Sequence, residues 1–357
     1  MRETPLYPLL IERQMVYRMW GGQHIASWLK LPQPHTDKIG ETWEVYEGNC
    51  IRNGTLAGTS LAEATHHYQE RLIGPRVKER YGTDFPLLIK FIDANDKLSI
   101  QVHPDDTYAH TYETATGFYG KTESWYILDA RPSAQVIYGV NEPMDREHFA
   151  QAIEQGTLEQ FVRYLPVQQG DVVFTPPGTL HAINDGLLLF EIQQKSDLTY
   201  RVYDYGRHDP STGEARALHL DRALDVLRYT PSPQPKSEPI ALDATKSRQL
   251  LVACQHFALE LWQLAAEYTM ITDGMSMNIL TIIEGSAALR WSDGVVDLVM
   301  GDSVVVPAQI AHWVLLPRSE TFRLLRAYVP DVAHDIREPL RAQGVAEDRI
   351  DRVVFAV

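Results

Sequence analysis

Cysteine is scarce in this chain, with only Cys50 and Cys254 among 357 residues. The two stand far apart and neither belongs to a CxxC pair, so a disulfide framework and a thiolate zinc site are both unexpected, which suits a reducing compartment. Long apolar runs are missing as well. No stretch approaches the length of a membrane span, and MRETPLYPLLIERQMVYRMWGG lacks the basic start and apolar stretch of a signal peptide. The expectation is a cytoplasmic protein without a membrane partner. Positive charge is in deficit: 33 Lys and Arg face 47 Asp and Glu, a net −14. Such a field repels a phosphate backbone, so no nucleic-acid partner is expected. A small anionic substrate stays open, through local basic residues.

What is present reads as globular protein, 44% hydrophobic and 22% charged, of a length whose soft prior is two domains. Short β-branched runs set off by Gly, Asp and Pro dominate: PLLIKFIDA, SAQVIYGV, GDVVFTPPG, LLLFEIQQ, NILTIIEGSAALRW, VVDLVMGDSVVVP and HWVLL. Three helical segments interrupt them, near 60–81, 144–165 and 215–229. The first opens on Ser60 with Glu63 three residues later, the spacing of a capping box. The fold class predicted is mainly β with α-helical insertions in the N-terminal half. Thr230 to Pro239 (TPSPQPKSEP) reads as a linker, since its prolines keep it extended and it has almost nothing to bury. It divides the chain into 1–235 and 240–330, with a tail at 331–357 of no evident role.

An internal repeat spans that linker. GDVVFTPPGTLH, starting at Gly170, can be laid over GDSVVVPAQIAH, starting at Gly301, with Gly, Asp, Pro and His recurring in step. Gly-Asp makes a turn, the apolar run a buried strand, Pro-x-Gly a second turn, and the histidine begins the next strand. This pattern resembles the second motif of the cupin superfamily of jelly-roll barrels, although Gln309 replaces the glycine in the second copy. The resemblance implies two cupin-like jelly-roll β-barrels, each closing its sheets around a cavity.

In SIQVHPDD, Leu98, Ile100 and Val102 have one parity and Ser99, Gln101 and His103 the other. Alternate side chains of a strand share a face, so the polar three can look into a barrel lumen together with His181. LLIKFIDANDKLSIQVHPDD, GKTESWYILDA, FTPPGTLHAI and LFEIQQKSDLTYRVYDYGR, in that order, closely resemble the successive signatures of type I phosphomannose isomerase in its short bacterial form. The likeness begins near Trp20-Gly21-Gly22, passes GETWE at 40–44 and runs to about Pro330.

That resemblance implies one zinc ion per chain on Gln101, His103, Glu123 and His181, a donor set of imidazole nitrogens and oxygens that suits zinc. Alone, His181 after its turn reads as a structural histidine and Glu123 as a solvated acid; the four together favour metal. His312 has no such companions upstream and is expected as a structural histidine in a metal-free second half. The implied reaction interconverts mannose 6-phosphate and fructose 6-phosphate, a proton leaving C2 and returning at C1 through a cis-enediol. Zinc would act as electrophile. For the proton, Lys121 and Glu191 are both candidates. Arg201 matches the family's active-site arginine and would steady the enediolate or hold the phosphate. Ser99 is a candidate phosphate or hydroxyl contact, and Lys90 a weaker one that reads equally as a strand lysine with its head in water. Two other classes are compatible with a cupin scaffold: a metal-dependent oxygenase and a non-catalytic sugar-phosphate-binding protein. Retention of Lys121, Glu191 and Arg201 argues against the second.

Overall fold

The computed structural model describes residues 5–31, 38–208, 213–232 and 235–357. Each β-branched run quoted above forms a strand, and the protein is mainly β. Among the described residues no helix is long and apolar enough to cross a membrane.

The chain divides into two units, one of Met15–Thr42 and Lys90–Ser237, the other of Met1–Gln14, Trp43–Ile89 and Glu238–Ala356. The sequence boundary at 235–240 thus recurs as one of several crossings. The segment 43–89, placed by its position with the first domain, gathers with the C-terminal half instead. Part of the linker, residues 233–234, lies outside the described residues. Beyond them, Phe174 N–H donates to Pro235 O at 3.1 Å and Ser237 N–H to Val172 O at 2.9 Å, so residues 235–237 run along a strand edge.

In the first unit a six-stranded antiparallel sheet has the spatial order Gln14–Gly22, Ile39–Val45, Leu87–Ala94, Leu187–Gln194, Glu123–Ala130 and Val172–Thr175. A five-stranded sheet has the order Tyr200–Tyr203, Ile100–Val102, His181–Ile183, Gln135–Val140 and Val162–Pro166. Ile92, Trp125, Ile127 and Leu189 from the first meet Val136, Tyr138 and Ile183 from the second in one buried core. On the outer face of the smaller sheet, Ile100, Val102 and Ile137 pack with Phe149 and with Ala223 of two covering helices. That covering settles the parity of the strand: Ile100 and Val102 go out to the helices and Gln101 is left facing in, while Leu98, expected on their face, packs in the inner core instead.

The helices are shorter than the sequence suggested. The capping box of Ser60 and Glu63 is present, but the helix over 60–81 is three pieces, Leu61–Tyr68, Glu70–Ile73 and Pro75–Tyr81. It breaks at Gln69, with φ 47°, and at Gly74, with φ 94°. A side chain at Gly74 would meet Met275 O at 2.3 Å, so the break depends on glycine twice over. Elsewhere the helices contract to Arg146–Glu154 and Leu220–Val226, and Val162–Pro166 is strand.

In the second unit a seven-stranded sheet and a four-stranded sheet enclose a dry core that includes Trp262, Leu280, Leu289, Trp313, Phe322 and Leu324. His312 opens the strand His312–Pro317 as an exposed residue, so the structural role expected of it is not seen. The tail is folded. Ile336, Leu340, Ile350, Val353 and Val354 pack on Ile240, Leu250, Ala253 and Ala258. Ile350→Ala should lower stability by about 2–5 kcal/mol, the cost of emptying a buried aliphatic site, seen as an earlier denaturant midpoint.

Candidate active site

Strand register assembles the site. His181 and Arg201 both lie opposite Gln101, one on each neighbouring strand, so these three residues form a row across the five-stranded sheet. On the facing sheet Glu123 lies opposite Gln193, and Trp125 opposite Glu191. The sheets meet where His181 Nε2 comes 3.1 Å from Glu123 Oε1 and His103 Nε2 3.5 Å from Glu123 Oε2.

Both imidazoles are oriented by the main chain. His103 Nδ1 donates to Leu198 O and His181 Nδ1 to Thr179 O, each at 2.8 Å. A carbonyl can only accept, so the proton sits on Nδ1 and each Nε2 turns a lone pair inward. Lys121 Nζ donates to His103 Nε2 at 3.2 Å, and the Gln101 amide lies 3.3 Å from His181 Nε2. Neither oxygen of Glu123 accepts a hydrogen bond of normal geometry, although both are fully buried and Lys121 Nζ is 2.9 Å from Oε2. Two inward lone pairs around an under-bonded buried carboxylate form a cradle for a cation, and ligand atoms of His103, Glu123 and His181 lie within 4.8 Å of one another. Half a turn of the Gln101 amide would add a fourth donor, its oxygen. The residues present fit a metal ion.

Electrostatics agree. Burial pushes His103 down to about 3, helped by the Lys121 charge, which keeps the ring neutral and able to ligate. Burial works to raise the Glu123 carboxyl, but Lys121, His103 and His181 together hold it well below the usual carboxylate range.

Over this cradle lies a cleft of about 1430 Å³ whose lining includes Gln101, Lys121, Glu191, Ser99 and Arg201. His103, Glu123 and His181 are buried next to its lining residues Gln101 and Lys121. Arg201 donates through Nε to Ser99 Oγ at 3.3 Å and through Nη1 to Ala217 O at 2.9 Å. Lys90 lines the cleft and is ion-paired there. Its Nζ lies 3.1 Å from Glu191 and 3.5 Å from Glu41, and although burial opposes its charge, Glu191 and Glu41 raise its pKa. Trp125 Nε1 donates to the other Glu191 oxygen at 3.0 Å. The Lys90 ammonium thus lies between the Glu191 and Glu41 carboxylates.

Comparison with known proteins matches residues 9–126 to the type I phosphomannose isomerase catalytic domain and residues 247–323 to the mannose-6-phosphate isomerase cupin domain. The mannose-6-phosphate isomerase of Streptococcus mutans is 33% identical over 310 residues, 86% of this chain and 94% of that protein. The chain belongs to the type I phosphomannose isomerase family. The Bacillus subtilis mannose-6-phosphate isomerase ManA is 32% identical over 86% of this chain and 95% of its own length. The crystal structure of the mannose 6-phosphate isomerase from B. subtilis aligns with TM-score 0.78 and 30% identity, covering 90% of this chain and 99% of that one.

Within this family frame, several cleft residues escaped the sequence reading. Arg216 reaches the cleft while held by Asp204 at 2.8 Å, and Arg222 lines it while paired with Glu113. His219 is tied to Arg201 twice: its N–H donates to Arg201 O at 2.8 Å, and its Nδ1 accepts from Arg201 N–H at 3.2 Å. No spacing signal announces these three. Glu41 sits inside GETWE, where an acid flanked by Gly and Thr was a legible hint.

Metal-free protein should lose stability as pH falls. His103 binds its proton near 6.5 when unfolded and only near 3 when folded, so the stability it contributes is complete above 6.5 and is lost as the pH falls through the folded value. Thermal melts of chelator-treated protein across that window should show the decline, and His103→Gln should flatten it.

Proposed function

We propose that this chain interconverts mannose 6-phosphate and fructose 6-phosphate, with zinc on Gln101, His103, Glu123 and His181, and that each unit is a cupin-like jelly roll. The observation that carries the reading is the buried His103, Glu123 and His181 cradle beside a cleft lined by cations, in a chain of net charge −14. A local cationic wall in an acidic protein favours an anionic substrate.

When bound, zinc would supply Lewis acidity toward the sugar oxygens. The protein's own groups divide the remaining work. Glu191 is held by Lys90 Nζ at 3.1 Å and Trp125 Nε1 at 3.0 Å, which leaves a carboxylate fixed on the cleft wall. It is our candidate to take the proton from C2 and return it at C1. Lys121, ion-paired with Glu123 at 2.9 Å, is a donor in this setting and suits the oxygen on which enediol charge develops. Arg201 uses Nε and Nη1 internally, and its Nη2 has no partner among the described residues, so one arm of the fork is free for a phosphate oxygen. Ser99, which receives the Nε hydrogen bond, orients that fork and lines the cleft beside it.

A coupled assay should detect fructose 6-phosphate formed from mannose 6-phosphate, with loss of turnover on chelation and recovery on adding zinc. Dioxygen uptake, or tight binding of mannose 6-phosphate without turnover, would replace the isomerase reading by the oxygenase or the binding-protein one. Glu191→Gln should lower kcat by about 10²–10⁴-fold and abolish exchange of the C2 proton with solvent. Exchange persisting in that variant and vanishing in Lys121→Gln would transfer the role to Lys121. Arg201→Ala should lose most turnover while keeping its zinc, as read by elemental analysis.

A further inference from the structure

The two units use one strand plan. Val172–Thr175 pairs with Glu123–Ala130, which pairs with Leu187–Gln194; in the other unit Ser303–Val306 pairs with Asn278–Glu284, which pairs with Arg323–Tyr328. Glu123 lies opposite Thr175, and Trp125 opposite both Val173 and Glu191. Asn278 lies opposite Val306, and Leu280 opposite both Val304 and Arg326. The repeat aligns Thr175 with Val306 and Val173 with Val304. Asn278 therefore occupies the place of Glu123, and Arg326 the place of Glu191. On the facing sheets Gln101 lies opposite His181, and Ile271 opposite His312, so Ile271 stands for Gln101.

These exchanges remove the cation cradle, yet the place is not filled in. A cavity of about 380 Å³ opens there, small for a ligand pocket, and its lining includes Ile271, Thr272, Asn278 and Arg326. We propose that it binds a small oxyanion, a phosphate ester or a carboxylate, with Arg326 as the anchor.

Arg326 is 7% exposed and rigidly placed. Its Nε donates to Asn278 Oδ1 at 2.7 Å and its Nη1 to Glu260 Oε1 at 2.9 Å. Glu260 is saturated, since it also accepts from Tyr328 Oη at 3.1 Å and Trp262 Nε1 at 2.6 Å. Arg326 Nη2 has no hydrogen-bond partner among the described residues, and the side chain lines the cavity with its Cζ 4.0 Å from the Tyr328 ring centroid, so a donor of a fixed guanidinium is left for an occupant. Arg248, also on the lining, spends only Nε on Asp243, at 3.2 Å, and its terminal nitrogens have no hydrogen-bond partner among the described residues. The two guanidinium groups flank one indole, with Cζ atoms 5.7 Å (Arg248) and 5.6 Å (Arg326) from the Trp262 ring centroid.

The acids that line the cavity do not use up these donors. Asp335 accepts from Arg76 at 2.7 Å and from Asp331 N–H at 2.8 Å, while Asp273 is exposed and accepts from Met275 N–H at 2.9 Å. Thr272 Oγ1 is buried without a partner and offers a neutral contact. Ile336 and Leu340 place the folded tail on one wall, so an occupant would hold that segment in position.

Calorimetric titration of the full chain with inorganic phosphate and, separately, malonate tests the assignment. The expected result is a binding component that survives Arg201→Ala, weakens about tenfold or more in Arg326→Gln, as loss of a charge-assisted hydrogen bond implies, and weakens about threefold in Arg248→Ala. Isomerase turnover should be unchanged in the last two variants. A component seen with phosphate alone points to phosphate esters, and one seen with malonate alone to carboxylates. Arg326→Gln leaves Glu260 with one donor fewer; if that variant fails to fold, Arg248→Ala decides, because its side chain is part-exposed and pairs only at its edge. The proposal is overturned if no component survives Arg201→Ala, or if the surviving component is indifferent to Arg248→Ala and, where it folds, to Arg326→Gln.

Discussion

The site-bearing unit depends on two hydrogen bonds from imidazole to main chain, His103 Nδ1–H to Leu198 O and His181 Nδ1–H to Thr179 O. They fix tautomer and ring direction together, so that both Nε2 lone pairs converge on Glu123 before any ion arrives. Pre-alignment of this kind removes ordering cost from metal capture, and it makes the backbone of two loops part of the coordination chemistry. The two imidazoles are thereby oriented by main chain, while the cleft wall is set by side chains held in ion pairs. Glu191 illustrates the wall: its position depends on Lys90, whose own charge depends on Glu41. A chain of three alternating charges fixes one carboxylate.

The second unit shows the same strand plan under a different constraint. There Trp262 and Trp313 stack with ring centroids 6.2 Å apart in the apolar core beside the cavity. What remains is a shallow polar row, Asn278, Arg326 and Glu260, at one end of the core. A fold that needs only an aliphatic face and a turn pattern to close can carry opposite charge at corresponding positions, an acid at 191 and a guanidinium at 326.

Much of this was legible from residue order alone. The strands were visible because β-branched runs between turn residues leave few alternatives, and the gathering of His103 and His181 because parity and motif spacing coincide there. What local sequence could not convey was long-range. The helix over 60–81 has good periodicity, and its break at Gly74 answers to packing against Met275, some two hundred residues away in the chain. The same remoteness hid the membership of 43–89 in the second unit. The ion pairs of Lys90 were hidden for a related reason: its partners Glu41 and Glu191 come from strands far apart in sequence, and a lysine in LLIKF carries no mark of them. Arg216 and Arg222 sit in a segment whose composition announces only a helix.

The strand Ile100–Val102 is three residues long, with helices behind it and the cleft before it. Its side-chain period is two, so a slip of one residue would turn Ile100 or Val102 toward the cleft and bury the Gln101 amide among aliphatic groups. Most surface loops of such a protein tolerate insertion, but the few residues between Asp96 and Ile100 do not share that freedom. Leu98 N–H is bonded to Ile183 O at 2.9 Å, which clamps the approach to the strand. Length here is as informative as identity: among relatives, this short stretch should be conserved in the number of its residues even where their types change.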